Sequence, residues 1–273
     1  MRKALFFSMT LCLVACTHHA FAQGLFWSLP KDGTWIRYEG KYQQVEFRPE
    51  SPEGDLRLEW IRYLTIKSVG REEAEFNGKQ EPCRWIEIKV QTGKPSETGI
   101  DSGRIGERVN PRIYKFLVPE SWFTGQLRDQ EGIARAFIPI VRGYKKIGDN
   151  DRSPITTKAI QLYPTVTLVR HLTTLKADGA GEEDPGVGLG PLTAQKYTGK
   201  LVQESPTLRS TYEIQLWISK QVPFGVAKWH VKILQEKKAA NEPRSAFKRA
   251  RELTVEMQAQ ETGTDAKSEL ATE

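Results

Sequence analysis

Apolar and polar residues alternate along most of this chain with a period of two, the spacing of a half-buried strand. From Ser210 one face carries Tyr212, Ile214, Leu216 and Ile218 and the other Thr211, Glu213, Gln215 and Trp217. From Gly225, Ala227, Trp229, Val231 and Ile233 oppose Val226, Lys228, His230 and Lys232. These two stretches read as an antiparallel pair joined through Lys220 to Phe224, with Gly225 as turn punctuation. The same period, filled by Trp, Tyr, Ile, Val and Thr, predicts strands over 34–47, 56–69, 84–90, 113–118, 164–174, 196–202 and 253–259. Helical signals are few: Pro119 to Phe123 opens with a proline suited to a first turn, and 244–251 is short and helix-permissive. The glycine-rich acidic segment 176–191 reads as a mobile loop, and the residues after Gln260 read as a frayed polar tail. The fold class that follows is mainly β: a single curved antiparallel sheet, half-barrel or open barrel, with one or two short helices.

The first residues carry a different pattern. Arg2 and Lys3 precede an apolar run over 4–15 that is too short to cross a bilayer, which takes about 20 residues. Ala20-Phe21-Ala22 then gives the small-x-small form that a signal peptidase accepts. The reading is a signal peptide over 1–22, a β-rich domain over 23–260 and a polar tail over 261–273, in a protein exported to the periplasm or the exterior. Leu13-Val14-Ala15-Cys16 also has the form of a lipobox, in which lipidation of Cys16 would tether the chain to a membrane. The apolar Phe21, Leu25, Phe26 and Trp27 favour cleavage before Gln23, because a tether is usually polar and solvated. Both routes stay open.

Cleavage leaves Cys83 as the one thiol, so stability must come from an apolar core and not from disulfides. The net charge of +6 is spread among interspersed Lys, Arg, Asp and Glu, which gives a mixed surface and no nucleic-acid stripe. The basic clusters at 142–146 and 244–251 read as solvated surface, or else as contacts to anionic lipid or cell-wall polymer. No second apolar stretch approaches membrane-spanning length.

Candidate chemistry is sparse. After cleavage only His171 and His230 remain, with no metal-ligand spacing around either, so no metal site is assigned. Cys83, flanked by Pro82 and Trp85, reads as an inert thiol. Gly186-Val-Gly-Leu-Gly190 lacks the lysine and helix of a phosphate loop and follows Glu182, Glu183 and Asp184, which would repel phosphate. Asp149-Asn150-Asp151 lacks the spaced ligands of a calcium loop and reads as a turn. No catalytic residue and no cofactor is assigned, and the expectation is a protein that is not an enzyme.

The most particular stretches are Asp32-Gly-Thr-Trp-Ile-Arg-Tyr-Glu-Gly40, Cys83-Arg-Trp-Ile-Glu-Ile-Lys89, Arg112-Ile-Tyr-Lys-Phe-Leu-Val-Pro-Glu120 and Leu216-Trp-Ile-Ser-Lys-Gln-Val-Pro-Phe-Gly-Val-Ala-Lys-Trp229. Together they resemble secreted proteins of planctomycete-type bacteria, similar in layout to the outer-membrane lipoprotein-sorting group of periplasmic carriers. The resemblance implies a curved half-barrel over helices, with an apolar inner face that holds acyl chains, and hence a lipid or lipidated protein as partner. Val222 to Val226 would match that group's strand-to-strand connection. Trp60, Leu64 and Ile66 share one strand face, which suits either the lining of such a cavity or ordinary core. The chain departs from the carriers in its length, its acidic glycine-rich insertion and its lack of clear covering helices. Two other readings stand beside it: a scaffold whose edge strands pair with a partner, and a hydrolase of an envelope polymer, which would need carboxylates from distant strands or convergence of His171 and His230.

Overall fold

The computed structural model describes residues 24–94, 110–123, 136–172 and 174–270. The predicted signal peptide, Cys16 included, lies outside the described residues. The strands are β1 (Trp35–Glu46), β2 (Leu56–Phe76), β3 (Lys79–Gly93), β4 (Arg112–Pro119), β5 (Ile138–Pro139), β6 (Arg142–Ile147), β7 (Ser153–Pro154) and β8 (Ala159–Ile160), followed by β9 (Lys176–Glu183), β10 (Ala194–Glu204), β11 (Leu208–Ile218), β12 (Val226–Lys237) and β13 (Lys248–Gly263). One short helix, α1 (Glu120–Phe123), follows β4. Among the described residues, eleven strands form one antiparallel sheet in the order β7-β6-β4-β3-β2-β1-β13-β12-β11-β10-β9, and β5 pairs with β8 apart from it. The sheet is not closed into a barrel. It is two meanders joined at a central seam, where β1 and β13 pair from Trp35 opposite Gly263 to Glu46 opposite Arg251.

Alternation sorts each strand between an inner and an outer face. Inner positions line up across the sheet: Ile88, Ile66 and Ile36 on one row, Tyr38, Leu64 and Val90 on the next. On the other side of the seam, Tyr212 faces Ile233, Ile214 faces Val231 and Leu216 faces Trp229. These side chains belong to a single apolar cluster. The turn between β11 and β12 runs through Phe224 and Gly225, both at positive φ. A Cβ on Gly225 would stand 2.7 Å from the Cβ of Trp27, so glycine is required there both by the bend and by the approach of the N-terminal segment.

Non-strand chain covers the inner face. Leu25 and Phe26 are fully buried, and the Phe26 ring meets Trp122, Phe123 and Phe224 edge-on at 5.5–6.4 Å. Trp27 N–H donates to the carbonyl of Phe224 at 2.9 Å. The stretch expected as a strand over 164–174 is instead irregular, and it fills the sheet. Leu162, Val166, Thr167, Val169 and Leu172 are buried, at both odd and even positions, while Pro164, Thr165 and Thr174 are exposed, so burial follows the segment's irregular path over the sheet and not a period of two. A period of two in a short apolar run does not separate a strand from such a filler.

Two further expectations are corrected. The segment 176–191 opens with β9 on β10 and continues across the sheet, with Val187 buried and Gly188 N–H bonded to the carbonyl of Ala259. The described residues after Gln260, up to Leu270, are not frayed. β13 runs to Gly263, Ala266 N–H donates to Gly33 O at 2.8 Å, and the chain then crosses the outer face of β2, β3 and β4 as a strap. Its anchor is Glu87, whose fully buried carboxylate accepts bonds from Ser268 Oγ and from the backbone N–H groups of Glu269 and Leu270. Lys67 and Lys89 clasp Glu269, and Lys115 Nζ donates to the carbonyl of Leu270. The basic stretch 244–251 makes only a 3-10 turn, Arg244–Ala246, before β13 begins.

Because a hydrogen bond to a charged acceptor is worth about 1.5–3 kcal/mol, Glu87→Gln is expected to lower stability by about 2 kcal/mol and to release residues 266–270 first. Amide exchange of those residues against denaturant unfolding of the whole checks this: unchanged tail protection would show that Glu87 is not the anchor. The strap also responds to pH. Burial pushes the Glu269 carboxyl up, but the hydrogen bonds from Lys67 and Lys89 outweigh it and hold the group below the usual carboxylate range. Burial pulls Lys67 down, and its bonds to Glu269 and Glu87 outweigh that and raise it. A depressed acid contributes above its ordinary value, about 4.3, and a raised lysine below its ordinary value, about 10.4. Strap protection, corrected for intrinsic exchange, is therefore expected to be flat between those limits and to fall as pH drops below about 4.

Candidate functional site

The residues named in the sequence disperse. Leu64 and Ile66 are fully buried in the inner cluster, and Trp60 packs half-buried against it with its ring stacked on Tyr42 at 5.7 Å. On the filled inner side, a gap of about 30 Å³ remains between Gly24, Trp122, Ile138, Leu162, Tyr163 and His171. That is room for a water, against the several hundred Å³ of a small-molecule site. His171 therefore sits on the inner side and His230 points from β12 to the outer face, so the sheet separates them. Cys83 is fully buried in a small outer cluster with Trp85 and Leu117; burial, then Glu81 and Glu73, push its thiol up to about 11, which leaves it unreactive at neutral pH. Among the described residues, no group of three His, Cys, Asp or Glu is placed to hold a metal ion.

Space opens on the other side. A trough of about 470 Å³ lies on the outer face of β10, β11 and β12, with Thr174 and Lys176 on its rim. Its floor is built by register. Thr198 pairs with Gln215 and Gln215 with His230; in the next row Lys200 pairs with Glu213 and Glu213 with Lys232. A second hollow of about 310 Å³ shares Lys200, Glu213 and Lys232 with the first and continues over Thr211, Leu234, Arg249 and Glu252. A third of about 180 Å³ shares Glu252 and extends over Thr254, Gln43, Arg57 and Glu59.

Most of the charge in the trough is paired. Lys200 bonds Glu213 at 2.7 Å and Lys232 bonds Glu252 at 3.2 Å, with Arg249 also on Glu252. At one end, Lys196 and Lys228 stand 5.3 and 5.5 Å from the Trp217 ring centre, and the Trp217 indole N–H donates to Glu183. Exposed pairs of this kind contribute about 0–1 kcal/mol each, so they can exchange partners with a ligand at little cost. The trough therefore offers many donors and acceptors beside the apolar surface at Ile214, and its three lysines, Lys176, Lys200 and Lys232, outnumber its one carboxylate, Glu213.

No protein-family model matches the chain, and no curated protein does.

The trough was not legible in the sequence because its lining is shared among β9, β10, β11 and β12, each of which gives one or two polar residues at outward positions. The one signal was His230 among lysines on the polar parity of its strand, next to the outward Glu213 and Gln215 of the strand before it.

Proposed function

We propose that this is an exported, non-enzymatic binding module of the cell envelope that holds a polar ligand in the outer trough. The observation that carries the reading is the contrast between the two faces: the inner face is covered by the chain's own segments, while the outer face keeps an open, hydrogen-bonding hollow of about 470 Å³. An acyl chain or lipidated partner on the inner face, as the lipoprotein-carrier resemblance implies, would have to displace side chains such as Leu25, Phe26 and Val166. Each such side chain returned to water costs about 1.5–3 kcal/mol, which weighs the balance toward the outer face.

Co-sedimentation with detergent-washed bacterial envelope tests the reading. The wild-type protein is expected to pellet, and Gln215→Ala combined with His230→Ala to stay in solution while keeping its unfolding midpoint. Pelleting that survives this double substitution, or no pelleting of the wild type, would count against the trough.

A further inference from the structure

Following register partners outward from Lys200 picks out one row that crosses six strands: Lys200, Glu213, Lys232, Thr254, Gln43 and Glu59. Each is on the outer face, and each lines one of the three joined hollows. Neighbouring strands lie about 4.8 Å apart, so the row is about 24 Å long. That is too long for a single small molecule and suits an extended chain lying across the strands.

The chemistry of the row narrows the chain's identity. Its two cations and two anions cancel, and Thr254 and Gln43 add uncharged groups that both donate and accept. Gln43 already donates to Glu59 at 2.7 Å, which fixes the amide at that end. A polyanion would meet Glu213, Glu59 and the flanking Glu252 interspersed among five cations, Lys176, Lys200, Lys232, Arg57 and Arg249, and an apolar chain would find its contacts at Leu234, Val45 and Leu58 interrupted by those charges. Hydroxyl groups, which donate to carboxylates and accept from ammonium and amide groups, satisfy every member of the row at once. From this, and resting on the outer-face reading above, we infer that the trough binds a linear, uncharged, hydroxyl-rich polymer, a glycan strand, laid across β10, β11, β12, β13, β1 and β2.

The test is calorimetric titration with uncharged linear oligosaccharides from disaccharide to octasaccharide, with inorganic polyphosphate as the polyanion comparison. Affinity is expected to rise with length until the row is filled, and Kd to change less than about twofold between low and high salt, since no counterions are released. Gln43→Ala with Glu59→Ala is expected to weaken the longest ligand by about tenfold and to flatten the gain with length, while the unfolding midpoint stays put. Tighter, steeply salt-dependent binding of polyphosphate would overturn the inference, as would affinity that does not grow with length. If no oligosaccharide binds but envelope still pellets the wild type and not the Gln215/His230 double variant, the glycan assignment falls and the outer-face reading stands. If neither occurs, both fall.

Discussion

Gly40→Ala is expected to break the seam of the sheet and to cost more than about 3 kcal/mol, at the upper end of what overpacking does. Gly40 sits in β1 opposite Met257 of β13, and a Cβ there would stand 1.9 Å from the carbonyl oxygen of Glu256 and 2.8 Å from the Cα of Met257. Both are backbone atoms of a paired strand, so no rotamer change relieves the overlap. The sulfur of Met257, at 2.5 Å, occupies the space a side chain would take. Only separation of β1 from β13 makes room, and that opens the sheet at its centre. Denaturant unfolding of the variant gives the measurement. A midpoint within error of the wild type would mean that the strands do not approach this closely.

The second large effect is expected at Phe26. Its ring is 1% exposed and contacts three other aromatic rings, on α1 and on the β11–β12 turn, so Phe26→Ala removes the pin that holds the N-terminal segment against the sheet. Truncations of this type cost about 3–5 kcal/mol. Val202→Ala, at a position 48% exposed on β10, should stay within about 0.5 kcal/mol and serves as the comparison. A Phe26→Ala protein as stable as Val202→Ala would show that the N-terminal segment is not part of the core. Retention of envelope pelleting by Phe26→Ala below its unfolding midpoint would further separate the inner face from binding.

What the sequence made legible follows from what a local pattern can encode. The antiparallel pairing of β11 with β12 could be read directly, because both strands alternate cleanly and only a short turn joins them, while the residue partners, such as Tyr212 with Ile233, come from the structure. The filler over 164–172 was misread because Val166, Thr167, Val169 and Leu172 make a short run of β-forming residues that a local pattern does not separate from a strand. The strap was misread for a different reason. Ser268 and Glu269 look like solvated tail until Glu87, far back in the chain, is seen to accept the Ser268 hydroxyl and the backbone N–H groups of Glu269 and Leu270. The trough was invisible as a motif, since Lys200 and Gln43 become neighbours in a row only after β1 has closed on β13.

That closure also orders the folding of the chain. On one side of the seam β1, β2, β3 and β4 follow one another, and on the other β10, β11, β12 and β13 do, so most strand pairs form between near neighbours in sequence. The pairing of Trp35 with Gly263 spans almost the whole described chain and is the costliest loop to close. Two locally encoded halves should therefore assemble first and dock late, leaving the apolar edges of β1 and β13 as the surfaces that a stalled chain exposes to aggregation.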